Sequence, residues 1–199
     1  MRDRFMAALR RAVFLDRDGV LNEAEVRSGL PHPPASVEEL KVFPDAASAL
    51  GCLKEAGFLL IVVTNQPDVA RGTQTRETVY AINAALAARL PIIDFLVCWH
   101  DDVDGCACRK PKPGLLLEAA AKHPINLAES FAVGDRWRDI EAGADVGCRT
   151  VWINRHYAEG RPRQRPDACV TSLSDAVNWI LSQQLRAETA GNAETPPPE

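Results

Sequence analysis

The chain has 199 residues, 46% of them hydrophobic and 25% charged, with a formal net charge of −4. That balance suits one globular α/β domain with a well-filled core. It excludes a chain-wide positive field for nucleic acid or anionic membrane, so an anionic ligand needs positive charge gathered locally, and no apolar run approaches the length of a membrane span.

Met1 to Arg11 is basic, and the apolar residues after it lead straight into Asp16-Arg17-Asp18. This lacks the longer apolar stretch and small-residue cleavage site of a signal peptide, and the expected location is cytoplasmic. Ala12 to Leu15 reads as a short buried strand. Phe58 to Val63, six apolar residues bounded by Gly57 and Thr64, has the pattern of a strand buried on both faces. Phe95 to Cys98, Ser130 to Val133 and Thr150 to Ile153 are similar runs. Helices are expected between them: Asp45 to Ala56 stopped by Gly57, Thr75 to Leu90 closed by Pro91, Pro113 to Lys122, and Arg138 to Asp145 stopped by Gly147. A last helix runs from Ser174 to Leu185, and residues 187–199, with Pro196-Pro197-Pro198, read as a disordered tail. Strands alternating with helices predict a Rossmann-like parallel sheet with helices on both faces, over residues 12–186.

In such sheets ligands gather at the carboxyl ends of the strands, near the point where strand order reverses. Asp16, Thr64 and Asp135 each follow a predicted strand directly or after one residue. Taken singly, an Asp-x-Asp-Gly is usually a turn, a Thr-Asn a helix cap, and a lysine a solvated charge. In conjunction, Asp16-Arg17-Asp18-Gly19, Thr64-Asn65-Gln66, Lys110 and Gly134-Asp135-x-x-x-Asp139 supply what hydrolysis of a phosphate monoester requires. Asp16 is the candidate nucleophile, forming an aspartyl-phosphate. Asp18, two residues on, reaches the same side if the chain stays extended, with Arg17 pointing away, and serves as general acid and base. Asp16, Asp18 and Asp135 make an oxygen-rich site for catalytic Mg²⁺. The Thr64 hydroxyl, nearby amides and the Lys110 ammonium hold the phosphoryl oxygens.

Cys98-x-His100-x5-Cys106-x-Cys108 offers three thiolates and an imidazole, a tetrahedral set for a structural Zn²⁺. The competing reading is a chance grouping of buried thiols and a surface histidine. Because Cys108 adjoins Arg109 and Lys110, a zinc clasp would preset both basic groups. Cys52, Cys148 and Cys169 lie apart and read as small core residues.

Phe14-Leu15-Asp16-Arg17-Asp18-Gly19, Val63-Thr64-Asn65-Gln66, Ala70-Arg71-Gly72 and Cys108-Arg109-Lys110-Pro111-x-Pro113-Gly114 resemble motifs of the haloacid dehalogenase-like phosphohydrolases. The resemblance spans roughly residues 11–182 and points to the branch of heptose-bisphosphate and histidinol-phosphate phosphatases. It implies no large cap domain, in keeping with the 47 residues between Asp16 and Thr64 and the 45 between Thr64 and Lys110. It implies the roles above for Asp16, Asp18, Thr64, Lys110 and Asp135, with Arg109 recognising substrate; Asn65, Gln66 and Arg136 are also expected at the substrate. The substrate implied is the 7-phosphate of a heptose 1,7-bisphosphate, with histidinol phosphate or another small sugar phosphate as alternative. A DNA 3′-phosphatase is disfavoured by the acidic balance, and a non-catalytic phosphosugar-binding module would require a catalytic position to be lost. The expected state is a monomer acting on a small phosphorylated metabolite. Departures from the branch lie on the substrate side: a longer loop from Glu23 to Pro34, Pro67-Asp68 in place of Ser-Gly, and Arg136 in place of lysine.

Overall fold

The computed structural model describes residues 9–193; the rest of the basic start and the last residues of the expected tail lie outside the described residues. Six strands form one parallel sheet: β1 (Ala12–Leu15), β4 (Leu59–Asn65), β5 (Asp94–Cys98), β6 (Phe131–Gly134), β7 (Arg149–Ile153) and β8 (Ala168–Val170), in the order β5-β4-β1-β6-β7-β8. Successive side chains of a strand point to opposite faces, and the central strands use both for burial. Val13, Leu15, Leu60 and Val62 face α1 (Ala46–Glu55), α3 (Arg76–Ala87) and α6 (Leu173–Ala193). Phe14, Ile61, Val63 and Ala132 face α4 (Gly114–Lys122) and α5 (Trp137–Ala144). This is the fold class read from the sequence, because strands buried on both faces stand out as continuous apolar runs.

The chain leaves β1 toward β4 and β5 on one side, then returns to lay β6 against the other side of β1 (Phe14 pairs with Ile61 and with Ala132). Strand order therefore reverses beside β1, and the carboxyl ends of β1, β4 and β6 converge there.

Three elements depart from the sequence reading. Residues 23–34 are not a plain loop: β2 (Glu25–Arg27) and β3 (Leu30–His32) pair antiparallel around Ser28 and Gly29, both at positive φ (51° and 78°). Two left-handed residues joining two strands match the twist of a tight hairpin. After β4 a short helix, α2 (Pro67–Ala70), starts on Pro67, whose fixed φ suits a first helical turn. Finally, β8 adds an edge strand, and α6 continues to Ala193, past Leu185 and into the segment read as a tail. Among the described residues, no helix is long and apolar enough to cross a membrane.

Candidate active site

Asp16 is the first residue beyond β1 and is 8% exposed. Thr64 lies inside β4 rather than after it, and Asp135 directly follows β6. Lys110 reaches in from the segment after β5, 2% exposed, and joins these strand ends. Its Nζ stands 2.9 Å from Asp16 Oδ1 and 2.6 Å from Asp139 Oδ1, and donates to the Val63 carbonyl at 2.7 Å. The two carboxylates hold the Lys110 pKa above its usual value in spite of burial. Burial pushes Asp16 the other way for an acid, up to about 6, with Lys110 opposing the rise and Asp139 and Asp18 adding to it. Burial, followed by Asp16 and Asp139, raises Asp135 well above the usual carboxylate range.

Carboxylate oxygens of Asp16, Asp135 and Asp139 lie within 4.8 Å of one another. Neither oxygen of Asp135 has a hydrogen-bond partner among the described residues, although the residue is 2% exposed. Such orphaned acceptors are costly unless something outside the protein satisfies them. A hard divalent cation with oxygen ligands fits this set.

The Asp18 carboxylate lies outside that group. The chain bends at Arg17 and turns at Gly19, whose φ is +85°, and a Cβ there would come within 1.8 Å of Asp135 Oδ2. Only glycine suits that turn. Arg17 stays inside the protein. It is fully buried, its Nε donates to Asp18 Oδ1 at 3.1 Å, its Nη2 to Oδ2 at 3.0 Å, and its Nη1 to Asn83 Oδ1 at 3.0 Å. Asn22 and Gln66 add donors to Asp18, so its carboxylate is fixed at the cleft by protein donors. Asp139, part of the motif but given no role, takes the third place in the acidic cluster. As the third residue of α5's first turn, it also accepts from the Arg136 N–H at 3.0 Å.

The expected substrate contacts divide. Asn65 exchanges two hydrogen bonds with the Lys110 backbone, at 3.0 and 3.1 Å, and so sets where the lysine enters. Gln66 is buried between Thr64 Oγ1 and Asp18, 2.9 Å from each. Both side chains are engaged within the protein; Asn65 also lines the cleft, and Gln66 does not. Arg109 and Arg136 do line it, a space of about 200 Å³ walled on one side by Leu30 to Pro33 of the hairpin. Arg136 pairs with Glu159. Arg71, quoted in a family-like motif but given no role, and Arg138, which no motif singled out, also face the cleft; Asp101 holds Arg71, and Asp102 joins Arg109 to Arg138.

Cys98, His100, Cys106 and Cys108 converge as their spacing suggests. Cys98 Sγ is 3.2 Å from Cys108 and 3.7 Å from Cys106, Cys106 and Cys108 are 3.4 Å apart, and His100 Nδ1 is 3.3 Å from Cys108 and 3.6 Å from Cys98. A disulfide needs about 2.0 Å. A tetrahedron with Zn–S bonds of about 2.3 Å has edges of about 3.7 Å, so the separations suit one shared zinc ion. Asp102, inside this loop, holds Arg109 Nε at 2.8 Å, which ties the clasp to the cleft.

A model of the haloacid dehalogenase-like hydrolases matches residues 32–147. The chain belongs to this family. Among its relatives in the haloacid dehalogenase-like group is a D-glycero-beta-D-manno-heptose-1,7-bisphosphate 7-phosphatase of Bordetella bronchiseptica, 36% identical over 71% of this chain and 78% of the relative. A protein of the same name from Escherichia coli K12 is 32% identical over 89% and 97% of the two chains. A crystal structure of the D,D-heptose 1,7-bisphosphate phosphatase from B. bronchiseptica, complexed with magnesium and phosphate, superposes with a TM-score of 0.73 at 30% identity, covering 87% of this chain and 99% of that one.

Proposed function

We propose that this chain is a Mg²⁺-dependent phosphomonoesterase that removes the 7-phosphate from D-glycero-β-D-manno-heptose 1,7-bisphosphate through an aspartyl-phosphate on Asp16. The observation that carries the reaction type is the Lys110 ammonium held between Asp16 and Asp139 at the cleft, with the buried Asp135 carboxylate within 4.8 Å of theirs. The names of the relatives carry the substrate.

Asp16, with a pKa of about 6, is an anion at neutral pH. One of its oxygens attacks the phosphorus as the bond to the sugar oxygen breaks. The departing alkoxide takes a proton from Asp18, which arginine and amide donors hold in place. Asp18 then removes a proton from water; that water's oxygen bonds to phosphorus, and the bond to Asp16 breaks to release inorganic phosphate. Lys110 and the Thr64 hydroxyl offset charge on the transferring oxygens. Asp16, Asp135 and Asp139 would hold Mg²⁺, which supplies further neutralisation of the phosphoryl group when bound. Cys98, His100, Cys106 and Cys108 would hold a structural zinc that stiffens the loop carrying Arg109. Arg109 and Arg136 at the cleft are the proposed substrate contacts, and the catalyst acts as a monomer.

The test is phosphate release with Mg²⁺ from both anomers of the heptose bisphosphate, beside histidinol phosphate and fructose 1,6-bisphosphate, with Asp16→Asn as control. Efficient release from the β-anomer, abolished by the substitution, is the expected result. A preference for histidinol phosphate would overturn the substrate, and activity surviving in Asp16→Asn would overturn the mechanism.

A further inference from the structure

The segment that follows β7 touches the turn after β1, the hairpin and the start of α5, and belongs to none of the motifs. Arg155 Nε donates to the Gly19 carbonyl at 3.0 Å while its guanidinium stacks 4.5 Å over Phe43. The Ala158 N–H donates to the Gly29 carbonyl at the hairpin turn, 2.8 Å away. His156 adopts a left-handed φ of 57°, and its N–H donates to Asn154 Oδ1 at 2.9 Å. Trp152 Nε1, just upstream, donates to the Asp135 carbonyl at 3.0 Å, and Glu159 pairs with Arg136. A short stretch of chain is thus tied on both sides of Tyr157, which fixes where that side chain enters.

The Tyr157 side chain turns inward. Its hydroxyl lies 2.8 Å, and Asp135 Oδ2 1.8 Å, from the point where a Cβ on Gly19 would sit; the two oxygens are therefore within 4.6 Å of each other. The two oxygens face each other across Gly19, and among the described residues Asp135 has no hydrogen-bond partner. A carboxylate that gives one oxygen to a cation leaves its other oxygen to be held by a donor, and that outer donor sets the ligand's orientation. Tyr157 sets a hydroxyl beside Asp135, and glycine at position 19 leaves the space through which the two face each other.

We propose that Tyr157 is a positioning residue for the Asp135 carboxylate, its hydroxyl orienting that carboxylate toward a divalent cation shared with Asp16 and Asp139. This rests on the reading of those three carboxylates as a cation site. Binding of Mg²⁺ alone is measured by titration calorimetry on the wild type, Tyr157→Phe and Asp135→Asn, with thermal unfolding of the metal-free proteins alongside. The expected result is a Kd for Mg²⁺ weakened about tenfold in Tyr157→Phe, with an unchanged metal-free melting temperature and little or no binding in Asp135→Asn. An equal Kd in wild type and Tyr157→Phe, with Asp135→Asn still deficient, overturns the role of Tyr157 alone. Absence of Mg²⁺ binding in the wild type, or full binding in Asp135→Asn, overturns the inference together with the cation site beneath it.

Discussion

Replacing Lys110 by methionine keeps most of the side-chain volume and removes the one ammonium that lies between Asp16 and Asp139, at 2.9 and 2.6 Å. Asp16, Asp135 and Asp139 are each less than a tenth exposed. Without the lysine, and without a metal, their charges have no cation within ion-pair distance among the described residues. Removing one partner from a buried ion pair costs about 3–5 kcal/mol, which in a chain of this size lowers Tm by roughly 6–20 °C. The cost depends on pH in a definite direction. Asp16 carries a folded-state pKa of about 6 against an ordinary 3.8, so between those values the folded chain binds a proton that the unfolded chain has released. This group's contribution to stability therefore falls as pH rises through that window, by about 3 kcal/mol, and returns on acidification. Loss of Lys110 removes the charge that opposes this shift and widens the window. Thermal unfolding in chelator should show a large deficit for Lys110→Met at pH 8 and a smaller one at pH 5. Asp16→Asn in the same background should recover part of it, as coupled neighbours do. A deficit below about 1 kcal/mol at pH 8, or one that grows on acidification, would refute the electrostatic reasoning.

Three further perturbations follow from the geometry. Cys106→Ser should lose bound zinc by elemental analysis and raise KM about tenfold, near 1.4 kcal/mol, through the loop that carries Arg109; an unchanged KM in a verified zinc-free sample contradicts this. Gly19→Ala forces a Cβ to within 1.8 Å of Asp135 Oδ2 at a φ of +85°. A carboxylate displaced by about 1 Å should lower kcat/KM about 100-fold, so near-normal kinetics would sink the assignment of Asp135. Arg17→Met removes the buried guanidinium from Asp18 and Asn83 and should cost about 3 kcal/mol in urea unfolding together with a fall in kcat; loss of stability alone would show that Asp18 keeps its orientation without Arg17.

The sheet was legible because its central strands are apolar on both faces and are punctuated by glycine and proline. The edge strand Ala168–Val170 and the Glu25–His32 hairpin were not. Each strand is three residues long, and Pro31 with Pro33-Pro34 makes the hairpin read as an irregular loop. At the site, the motifs named Asp16, Thr64, Lys110 and Asp135, and the metal-ligand spacing named the cysteine cluster. Asp18 was set beside Asp16 and Asp135 by carrying the alternation of an extended strand past Leu15, where β1 ends; its carboxylate lies outside the group that those two form with Asp139. Asp139 follows instead from helix geometry: four residues after Asp135, it sits in the first turn of α5 and faces Lys110. Tyr157 carries no signal of this kind, since 21 residues and a strand separate it from Asp135.

The most direct test of the central claim is a ³¹P NMR time course on the β-heptose 1,7-bisphosphate with Mg²⁺, for wild type and Asp16→Asn. The phosphate on the primary C7 oxygen couples to two protons and gives a triplet, whereas that on the anomeric C1 oxygen couples to one and gives a doublet. The triplet should disappear into inorganic phosphate while the doublet persists, and neither should change with Asp16→Asn. Loss of the doublet first, or loss of the triplet at an undiminished rate in Asp16→Asn, would contradict the account.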